Sequence, residues 1–306
     1  MLKVGVVGLG KMGRIHLRNY TEMADVEVVG VVDVAAEARE EVAARFGVAA
    51  FATVEELLAL GPDAVSVCVP TVLHHDAGSK LLDARVNVLI EKPLAATAGE
   101  GEELVRLAAE NGVTLMVGHV ERFNPAIVRL KELLGDDVVS IQITRVSPYP
   151  ARIQDVGVIK DLGSHDIDLI RFLSGSDFKS VHGVWSASLG EHEDSALIAA
   201  EMENGVLASV TTNWLTPYRE RSIAVTCKAR RLAANLITQE VREYSAAPGC
   251  DNAWTVREWP VMARETIKEE LTRFIEAVRG GAAAPITGED GLKVLQVFDR
   301  IFSRAG

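Results

Sequence analysis

The sequence predicts a two-domain protein, an α/β domain with a doubly wound parallel sheet followed by an α+β domain with a mostly antiparallel sheet. Three observations predict it. The chain has 306 residues, enough for about two domains. Up to about residue 117, short apolar runs alternate with amphipathic helical patterns, and beyond Gly118 the runs alternate apolar with polar residues. We therefore expect domains at residues 1–119 and 120–306.

The first domain shows the pattern of buried parallel strands joined by helices. Its apolar runs are short, β-branched and nearly continuous, as expected for strands covered on both faces. They lie at 4–7, 26–32, 64–69, 86–90 and 113–117. Helical patterns lie between them at 35–46, 54–60, 75–84 and 99–111. This alternation predicts right-handed crossovers in a doubly wound sheet.

The second domain mixes helices with alternating strands. Helices are predicted at 124–134, where Pro125 lies in the first turn, and at 161–173. Strands are predicted at 138–146, 196–202, 206–212 and 222–226, and Asn204-Gly205 indicates a hairpin turn. Two final helices, at 269–278 and 289–302, flank a small-residue linker at 280–284.

Composition and charge exclude several classes of protein. Apolar residues make up 48% of the chain and charged residues 25%, which is typical of a folded domain with a core. The net charge of −11 argues against a general nucleic-acid binder and against a polybasic membrane anchor. The three cysteines are scattered, and the sequence has no long apolar run; because it opens directly into a predicted strand, we expect no secretory leader. We expect a cytoplasmic protein with no membrane or nucleic-acid partner and no structural metal.

A glycine-rich segment between the first strand and the next helix predicts a dinucleotide site. It reads Gly8-Leu9-Gly10-Lys11-Met12-Gly13, with the spacing G-x-G-x-x-G. The first glycine permits a tight turn, the second lets the backbone approach a pyrophosphate, and the third lets the helix pack closely. Asp33 ends the second strand 20 residues after Gly13, where a carboxylate accepts hydrogen bonds from the adenosine ribose.

The same acidic residue bears on the choice of cofactor. A carboxylate at Asp33 repels a 2′-phosphate, so we expect NAD rather than NADP. No arginine directly follows Asp33, although Arg39 could reach back from the next helix.

Five segments together resemble the Gfo/Idh/MocA family of sugar and polyol dehydrogenases. They are GLGKMG at 8–13, VPTVLH at 69–74, EKPLA at 91–95, GHVERFNP at 118–125 and DLGSHDID at 161–168. With HED at 192–194 and NWLTP at 213–217, they are most similar to the branch that acts on UDP-N-acetylglucosamine at carbon 3. The resemblance implies an N-terminal Rossmann domain and a C-terminal domain with an open-faced mixed sheet. In this family that sheet commonly forms the oligomer interface, so we expect a homodimer or homotetramer through it.

Lys92, Asp161 and His165 are the predicted catalytic residues. Lys92 follows a predicted parallel strand at the end where such sheets bind ligands, and Glu-Lys-Pro resembles the catalytic lysine motif of the family. Asp161, His165 and Asp168 recur at helical spacing and should share one stripe of a helix. Imidazole exchanges protons near neutral pH, so His165 is the expected proton acceptor and Asp161 would orient it or bind substrate.

Because Lys92 and His165 belong to different domains, we expect the site in the cleft between them. A zinc site on Asp161 and His165 is the competing interpretation, but it lacks a convincing third ligand.

Other candidates follow from the resemblance, which implies that Pro70, Thr71, His74 and Glu91 are cofactor neighbours. Thr71 could instead cap a helix. Residues expected on the substrate side, besides the catalytic three, are Arg122, Asn124 and Arg152. Arg122 could instead form an ion pair. A diphosphate would require cations, for which Arg145, Arg152, Lys160 and Arg219 are candidates, and Trp214 or Tyr218 could stack on a sugar or base.

The function expected from these residues is an NAD-dependent dehydrogenase that oxidises a secondary hydroxyl of a sugar or nucleotide sugar. UDP-N-acetylglucosamine, oxidised at C3, is the favoured substrate. Two alternatives stay open: a dehydrogenase of free sugars or inositols, and a catalytically silent NAD(P)-binding regulator of the same fold.

Overall fold

The computed structural model describes residues 1–150, 156–249 and 252–303, which form two compact units. Unit 1 comprises Met1–His119 and Ile267–Leu295, and unit 2 comprises Val120–Thr266 and the residues from Gln296 onward. The first segment of unit 1 ends at the boundary expected from the sequence. The sequence prediction placed residues 267–295 in the second domain, whereas the structure groups them with the first.

Unit 1 begins with alternating strands and helices. In chain order they are β1 Leu2–Val7, α1 Lys11–Thr21, β2 Val26–Val32, α2 Ala36–Phe46, β3 Ala50–Phe51, α3 Val54–Leu58, β4 Ala64–Val67, α4 His74–Asp83, β5 Asn87–Glu91, α5 Ala98–Asn111 and β6 Leu115–Gly118. The six strands pair in parallel in the order β3-β2-β1-β4-β5-β6. The predicted doubly wound sheet is confirmed. Strand β3 has only two residues, too few to leave a periodic signal in the sequence.

Unit 2 contains the second sheet. Its helices and strands up to residue 259 are α6 Pro125–Leu133, β7 Val138–Val146, α7 Val158–Asp161, α8 Gly163–Ser174, β8 Phe178–Ser186, β9 Ser195–Met202, β10 Leu207–Asn213, β11 Glu220–Cys227, β12 Arg230–Asn235, β13 Glu240–Ala246 and β14 Trp254–Trp259. The eight strands pair in the order β14-β13-β12-β11-β7-β10-β9-β8. Strands β7 and β10 are parallel and the other neighbours are antiparallel, so the sheet is mixed, as predicted.

One face of this sheet packs against helices. Helices α6, α7 and α8 contact strands β7, β9, β10, β12 and β13, and the strand residues on that side are buried. On β8, β9 and β10 the alternate residues Val184, Leu197 and Leu207 are exposed. The predicted hairpin turn is present, since Asn204-Gly205 joins antiparallel β9 and β10 with Gly205 at φ 84°. The sheet therefore leaves apolar side chains on its other face.

The two last helices are α9 Thr266–Val278 and α10 Gly288–Phe302. Residues 267–295 join unit 1 because they pair with its edge strand and cover its helix α5. The Val117 amide donates to the Ile286 carbonyl at 3.3 Å, and Met116 forms an antiparallel bridge with Thr287. Gly101 on α5 lies so close to Leu295 that a Cβ would come within 2.9 Å of it. These contacts are long-range, so the sequence pattern alone did not reveal them.

Within the part of the chain that the structure describes, no helix combines the length and apolar character needed to cross a bilayer. Cys68 and Cys227 are free thiols, and Cys250 lies outside the described residues.

Candidate active site

The three glycines of the loop after β1 differ in how much room each leaves for a side chain. A Cβ on Gly8, which has φ 93°, would lie 2.7 Å from the Cys68 carbonyl carbon and oxygen. One on Gly13 would lie 1.8 Å from the Gly8 carbonyl oxygen. A Cβ on Gly10 would meet no atom within 4 Å. Chain packing therefore requires Gly8 and Gly13, whereas the open space at Gly10 is consistent with close approach of a ligand.

The start of α1 fits the phosphates of a dinucleotide. The amides of Lys11, Met12 and Gly13 lie in the first helical turn, where backbone N–H groups lack intrahelical acceptors, and no side chain caps this end. Helix α1 has 11 residues, so its dipole also favours an anion here. The Leu9 amide donates to Asp33 Oδ2 at 2.7 Å and its side chain is buried, so this residue ties the glycine loop to the end of β2.

Asp33 braces the loops at the ends of β1 and β2. Its two carboxylate oxygens accept hydrogen bonds from the amides of Leu9 and Ala35, at 2.7 and 2.8 Å. Each carboxylate oxygen keeps a further lone pair for a ribose hydroxyl. Arg39 does reach back, donating to the carbonyls of Asp33 and Val34 at 2.7 and 3.0 Å.

In the segment after β4, the His74 ring is bound by the backbone, and its place beside the cofactor stays a prediction. Pro70 is exposed, and half-buried Thr71 opens a 3₁₀ turn without capping a helix by its side chain. His74 is buried, with Nδ1 2.8 Å from the Pro93 carbonyl oxygen and Nε2 3.0 Å from that of Val69. Burial lowers the pKa of His74, and these two hydrogen bonds partly oppose the shift. His74 therefore holds the Pro93 turn in place, with both ring nitrogens engaged by the backbone.

Lys92 follows the last residue of β5, and the peptide bond between Lys92 and Pro93 is cis. Lys92 is half-buried, and its amide donates to Glu91 Oε2 at 3.2 Å. Glu91 is buried, and its Oε1 lies 3.2 Å from His16 Nε2. Burial alone would raise the pKa of Glu91, but His16 and Lys92 together lower it. The Glu91 side chain is therefore directed to His16 in α1, which the sequence analysis did not single out.

A buried ionisable cluster surrounds Glu91. His16 Nδ1 lies 3.6 Å from Cys68 Sγ, and Glu270 on α9 is fully buried with no hydrogen-bond partner among the described residues. Burial, and then the charge of Glu91, raise the pKa of Glu270 well above its usual range. The sequence feature that could have indicated this cluster is a glutamate on the apolar face of α9, beside Leu271 and Phe274.

Within the described residues, metal ligands do not assemble at Asp161 and His165, where zinc was the competing interpretation. Among the described residues, potential ligands converge in a group of three or more only at His16, Cys68 and Glu91. His16 faces Cys68 with Nδ1 and Glu91 with Nε2, so its ring lies between the two other groups and neither ring nitrogen is directed at both. Asp161 and His165 gain no third ligand in residues 1–150, 156–249 and 252–303.

In unit 2, Asp161 and His165 lie on either side of a break between two helices. Asp161 ends α7, Leu162 intervenes, and His165 lies in the first turn of α8. Both are half-buried. Asp168 is buried and pairs through both oxygens with Arg122, at 2.6 and 2.8 Å. The three residues were predicted to share a stripe of one helix, but Asp168 faces an ion pair and not the same surroundings as His165.

The start of α7 is held by the segment that carries HED at 192–194. The Glu193 carbonyl accepts from the Val158 amide at 2.8 Å, and Glu193 Oε1 accepts from the Ile159 amide at 3.3 Å. A Cβ on Gly157 would lie 2.0 Å from the Glu193 carboxyl carbon. These contacts position the helix that leads to Asp161 and His165.

Two predicted substrate residues stabilise unit 2. Arg122 is paired with Asp168 and lies over the Phe172 ring, with its guanidinium carbon 5.1 Å from the ring centroid. Asn124 is buried, caps α6 through the Ala126 amide, and donates to Glu121 and to the Leu236 carbonyl. Their contacts with substrate stay predictions. Arg152, the third predicted substrate residue, lies outside the described residues.

Of the cations proposed for a diphosphate, Arg145 is excluded by burial. It is 1% exposed, and donates to Asp166 Oδ1 at 2.7 Å and to Glu121 Oε1 at 2.9 Å. Burial opposes its charge, but Asp166 and Glu121 raise the pKa of Arg145 overall. Lys160 is half-buried and Arg219 is exposed. The sequence reasoning missed Arg221, whose half-exposed side chain also donates to Glu121 Oε1, at 3.1 Å.

The two aromatic candidates have different surroundings. Trp214 is 2% exposed and packs edge to face on Tyr149, with ring centroids 5.7 Å apart. It belongs to the core of unit 2. Tyr218 is exposed and could still stack on a ligand.

The two units of this chain resemble the domains of one known protein family. Residues 2–119 match the family model described as oxidoreductase family, NAD-binding Rossmann fold, and residues 136–233 match the model of the GFO/IDH/MocA C-terminal domain. The first match confirms NAD as the cofactor of this domain, in agreement with the glycine loop and the first turn of α1. Fold and motifs together define an NAD-dependent oxidoreductase. The chain belongs to the Gfo/Idh/MocA family.

Individual relatives are similar over nearly the whole chain. UDP-N-acetylglucosamine 3-dehydrogenase from Acidithiobacillus ferrooxidans is 29% identical, over 96% of this chain and 94% of the relative. A solved structure of that dehydrogenase superposes with a TM-score of 0.92 at 28% identity, covering 98% of this chain and 96% of the other. The scyllo-inositol 2-dehydrogenase (NAD(+)) of Bacillus subtilis is 26% identical, over 97% of this chain and 92% of the relative.

Proposed function

We propose that this oxidoreductase oxidises the 3-hydroxyl of UDP-N-acetylglucosamine with NAD. The observation that carries the chemistry is His165, a half-buried imidazole in the first turn of α8, close in the chain to half-buried Asp161. The choice of substrate is supported by the similarity, over 96% of this chain, to a dehydrogenase of that nucleotide sugar.

Three side chains supply the acid–base chemistry of this proposal. NAD, when bound, accepts the hydride from the carbon that carries the hydroxyl. His165 accepts the hydroxyl proton at a ring nitrogen, since imidazole exchanges protons near neutral pH. The Lys92 ammonium hydrogen-bonds the substrate oxygen and holds it in place. Asp161 orients His165 or hydrogen-bonds a further substrate hydroxyl.

The choice of NAD over NADP is supported by Asp33. Its carboxylate lies at the end of β2 and already accepts two backbone amides, so it stays as an acceptor for ribose hydroxyls and repels a 2′-phosphate. Arg39, the nearest candidate for a phosphate partner, donates to the backbone at Asp33 and Val34 instead.

The test measures NADH formation with purified protein and UDP-N-acetylglucosamine. Lys92→Ala and His165→Ala should each lower kcat by at least about 100-fold, the usual size of an acid–base contribution, while NAD still binds. Lys80→Ala and His75→Ala are matched controls, because both side chains lie at the surface of unit 1 in ion pairs. Unchanged turnover in Lys92→Ala would contradict the proposed roles.

A second candidate is a dehydrogenase of inositols, supported by the relative that carries that activity in Bacillus subtilis. A panel of UDP-sugars, free sugars and inositols separates the two, because only one class should give NADH at low substrate concentration. NAD binding with no turnover across the panel would support the silent regulator instead.

A further inference from the structure

Two arginines lie directly opposite each other in the sheet of unit 2. In the register of β7 and β11, Arg145 pairs with Arg221, so both side chains project from the same face. Like charges directly opposite each other on a sheet are destabilising. Both guanidiniums donate to the same oxygen, Glu121 Oε1, at 2.9 and 3.1 Å. One carboxylate oxygen is therefore shared by two cations.

A third arginine adds to this positive charge. Arg219 precedes β11 two residues before Arg221, which puts it on the same side of the strand, and it is exposed. Among the described residues Arg219 forms no ion pair. Glu220, between the two arginines, points to the other side, where its carboxylate accepts from the Ser222 hydroxyl at 2.8 Å.

The buried part of the cluster is unequally satisfied. Asp166 neutralises Arg145 through a contact of 2.7 Å, but Arg145 Nη2 is buried and has no hydrogen-bond partner in the described part of the chain. Three guanidiniums, of Arg145, Arg219 and Arg221, thus meet two carboxylates, of Glu121 and Asp166. Burial, and then the charge of Arg145, lower the pKa of Arg221, and the charge of Glu121 partly opposes this shift.

Only the outer arginines can reach a ligand. The Arg221 side chain is 42% exposed, whereas Arg145 and Glu121 are buried beneath it. The cluster also adjoins the proposed acid–base residue within unit 2, because Asp166 directly precedes Ile167 in α8 and follows His165 in the chain. An anion bound at Arg221 would thus lie on the side of the sheet that α8 covers.

We propose that Arg221 and Arg219 bind a phosphoryl group of the substrate, the diphosphate of a nucleotide sugar. The guanidinium fork binds phosphate oxygens through two parallel hydrogen bonds, which an exposed arginine with one free edge can provide. Free inositols and sugars have no phosphate, so this subsite would select nucleotide sugars. The inference rests on the proposed function for the identity of the substrate, but the anion site itself can be tested without any redox reaction.

The first experiment titrates UDP, inorganic pyrophosphate and uridine into the full-length protein with NAD, by calorimetry. UDP should bind at least tenfold more tightly than uridine, and Arg221→Gln should remove at least tenfold of the UDP affinity. Arg219→Gln should remove about threefold; because this side chain is exposed and unpaired, the variant is also informative if Arg221→Gln fails to fold. Pyrophosphate binding alone, without UDP binding, would assign the site to free phosphate species and overturn its role in nucleotide-sugar binding.

The matched control is Arg242→Gln on β13, which removes one half-exposed, ion-paired guanidinium of the same sheet. Its UDP affinity should stay within twofold of the parent. Equal losses of UDP affinity in Arg242→Gln and Arg221→Gln would show that net charge alone explains the effect, and would overturn the subsite. An unchanged UDP affinity in Arg221→Gln would overturn it as well.

A kinetic arm separates this inference from the proposed function. In Arg221→Gln the KM for UDP-N-acetylglucosamine should rise about tenfold with kcat changed less than threefold. Turnover of that substrate with an unchanged KM overturns the subsite alone. No turnover in the parent protein, with UDP binding that still depends on Arg221, overturns the proposed substrate while the anion site stands.

Discussion

The ionisable side chains singled out in unit 1 are of two kinds: some are accessible to a ligand, and others are buried and interact with one another. Asp33 and Lys92 are half-buried, so a ligand could contact them, whereas Glu91, His74 and Glu270 are buried. The Glu-Lys-Pro motif therefore joins Lys92, a proposed residue of the site, to a buried neighbour, Glu91. The sequence pattern treats both alike, because it carries no information on burial.

Glu270 should make stability depend on pH. Its pKa is raised by burial, so the folded state holds a proton that the unfolded chain releases above about pH 4.5. The stabilisation is complete below that value and is lost as the pH rises through the raised pKa of the folded protein. Glu270→Gln cannot ionise, so its melting temperature should exceed that of the parent increasingly from pH 4.5 upward. Each pKa unit corresponds to about 1.4 kcal/mol.

Thermal melts from pH 4.5 to 8 measure this, with Glu276→Gln on the same helix as the control, since that side chain is half-exposed and paired with Arg273. Glu91 at the end of β5, Cys68 after β4 and Tyr20 on α1 are the ionisable groups that interact with Glu270, and His16 and Lys92 act on Glu91 in turn. A constant difference between the two proteins across this range would contradict the assignment.

At the level of the loop and helix that follow β1, the three glycines separate folding from binding. Gly13→Ala places a Cβ 1.8 Å from backbone at Gly8, which cannot move aside as a flexible side chain could. Overpacking of this kind costs about 1–3 kcal/mol or more, so the melting temperature of the ligand-free protein should fall.

Gly10→Ala should have the opposite profile. Its Cβ would meet no atom of the chain within 4 Å, so the melting temperature should stay within about 1 °C of the parent, whereas NAD affinity should fall about tenfold or more. Fluorescence titration with NADH and thermal melts check both variants together. Normal NADH binding in Gly10→Ala would show that the cofactor does not approach the loop closely at this position.

Over the whole molecule, the chain returns to unit 1 after building the second sheet. A fragment of residues 1–119 lacks the helix that carries Glu270 and the pairing of Thr287 with Met116. We expect it to unfold without a cooperative transition and to lose NADH binding, whereas the full chain melts cooperatively. Circular dichroism and NADH fluorescence measure both properties. A cooperatively folded fragment that binds NADH would show that residues 267–295 are dispensable for this unit.

The exposed face of the second sheet suggests self-association. Val184 and Leu197 are directly opposite each other on β8 and β9 and are exposed by 66% and 55%. An exposed apolar patch of this kind commonly marks an interface, so we propose a homodimer or homotetramer through this sheet. Leu197→Glu should shift the mass measured by light scattering to the monomer, while Glu201→Gln on the same strand should not. A monomeric parent protein would refute the proposal.

Much of the fold follows from local patterns. The parallel strands were predictable because a strand covered on both faces must be a nearly continuous apolar run, and β2 and β7 occupy the predicted residues 26–32 and 138–146. The glycine loop, with Asp33 at its fixed distance, was predictable because a turn bound to a pyrophosphate needs particular backbone conformations. Strands β8, β12, β13 and β14 were not predicted, and β14 is largely exposed, so it shows no alternation of burial.

The environments of three sets of charged residues are determined by the tertiary structure alone. It buries Arg145 between Glu121 and Asp166 while leaving Arg221 half-exposed, it directs Asp168 to Arg122, and it returns Glu270 to unit 1. The ion pairs among these features join residues 21 to 100 positions apart in the chain. Periodicity and motif spacing report only which face of an element a residue occupies. Whether a charged side chain there meets a partner, a ligand or water is decided by the elements that pack against it.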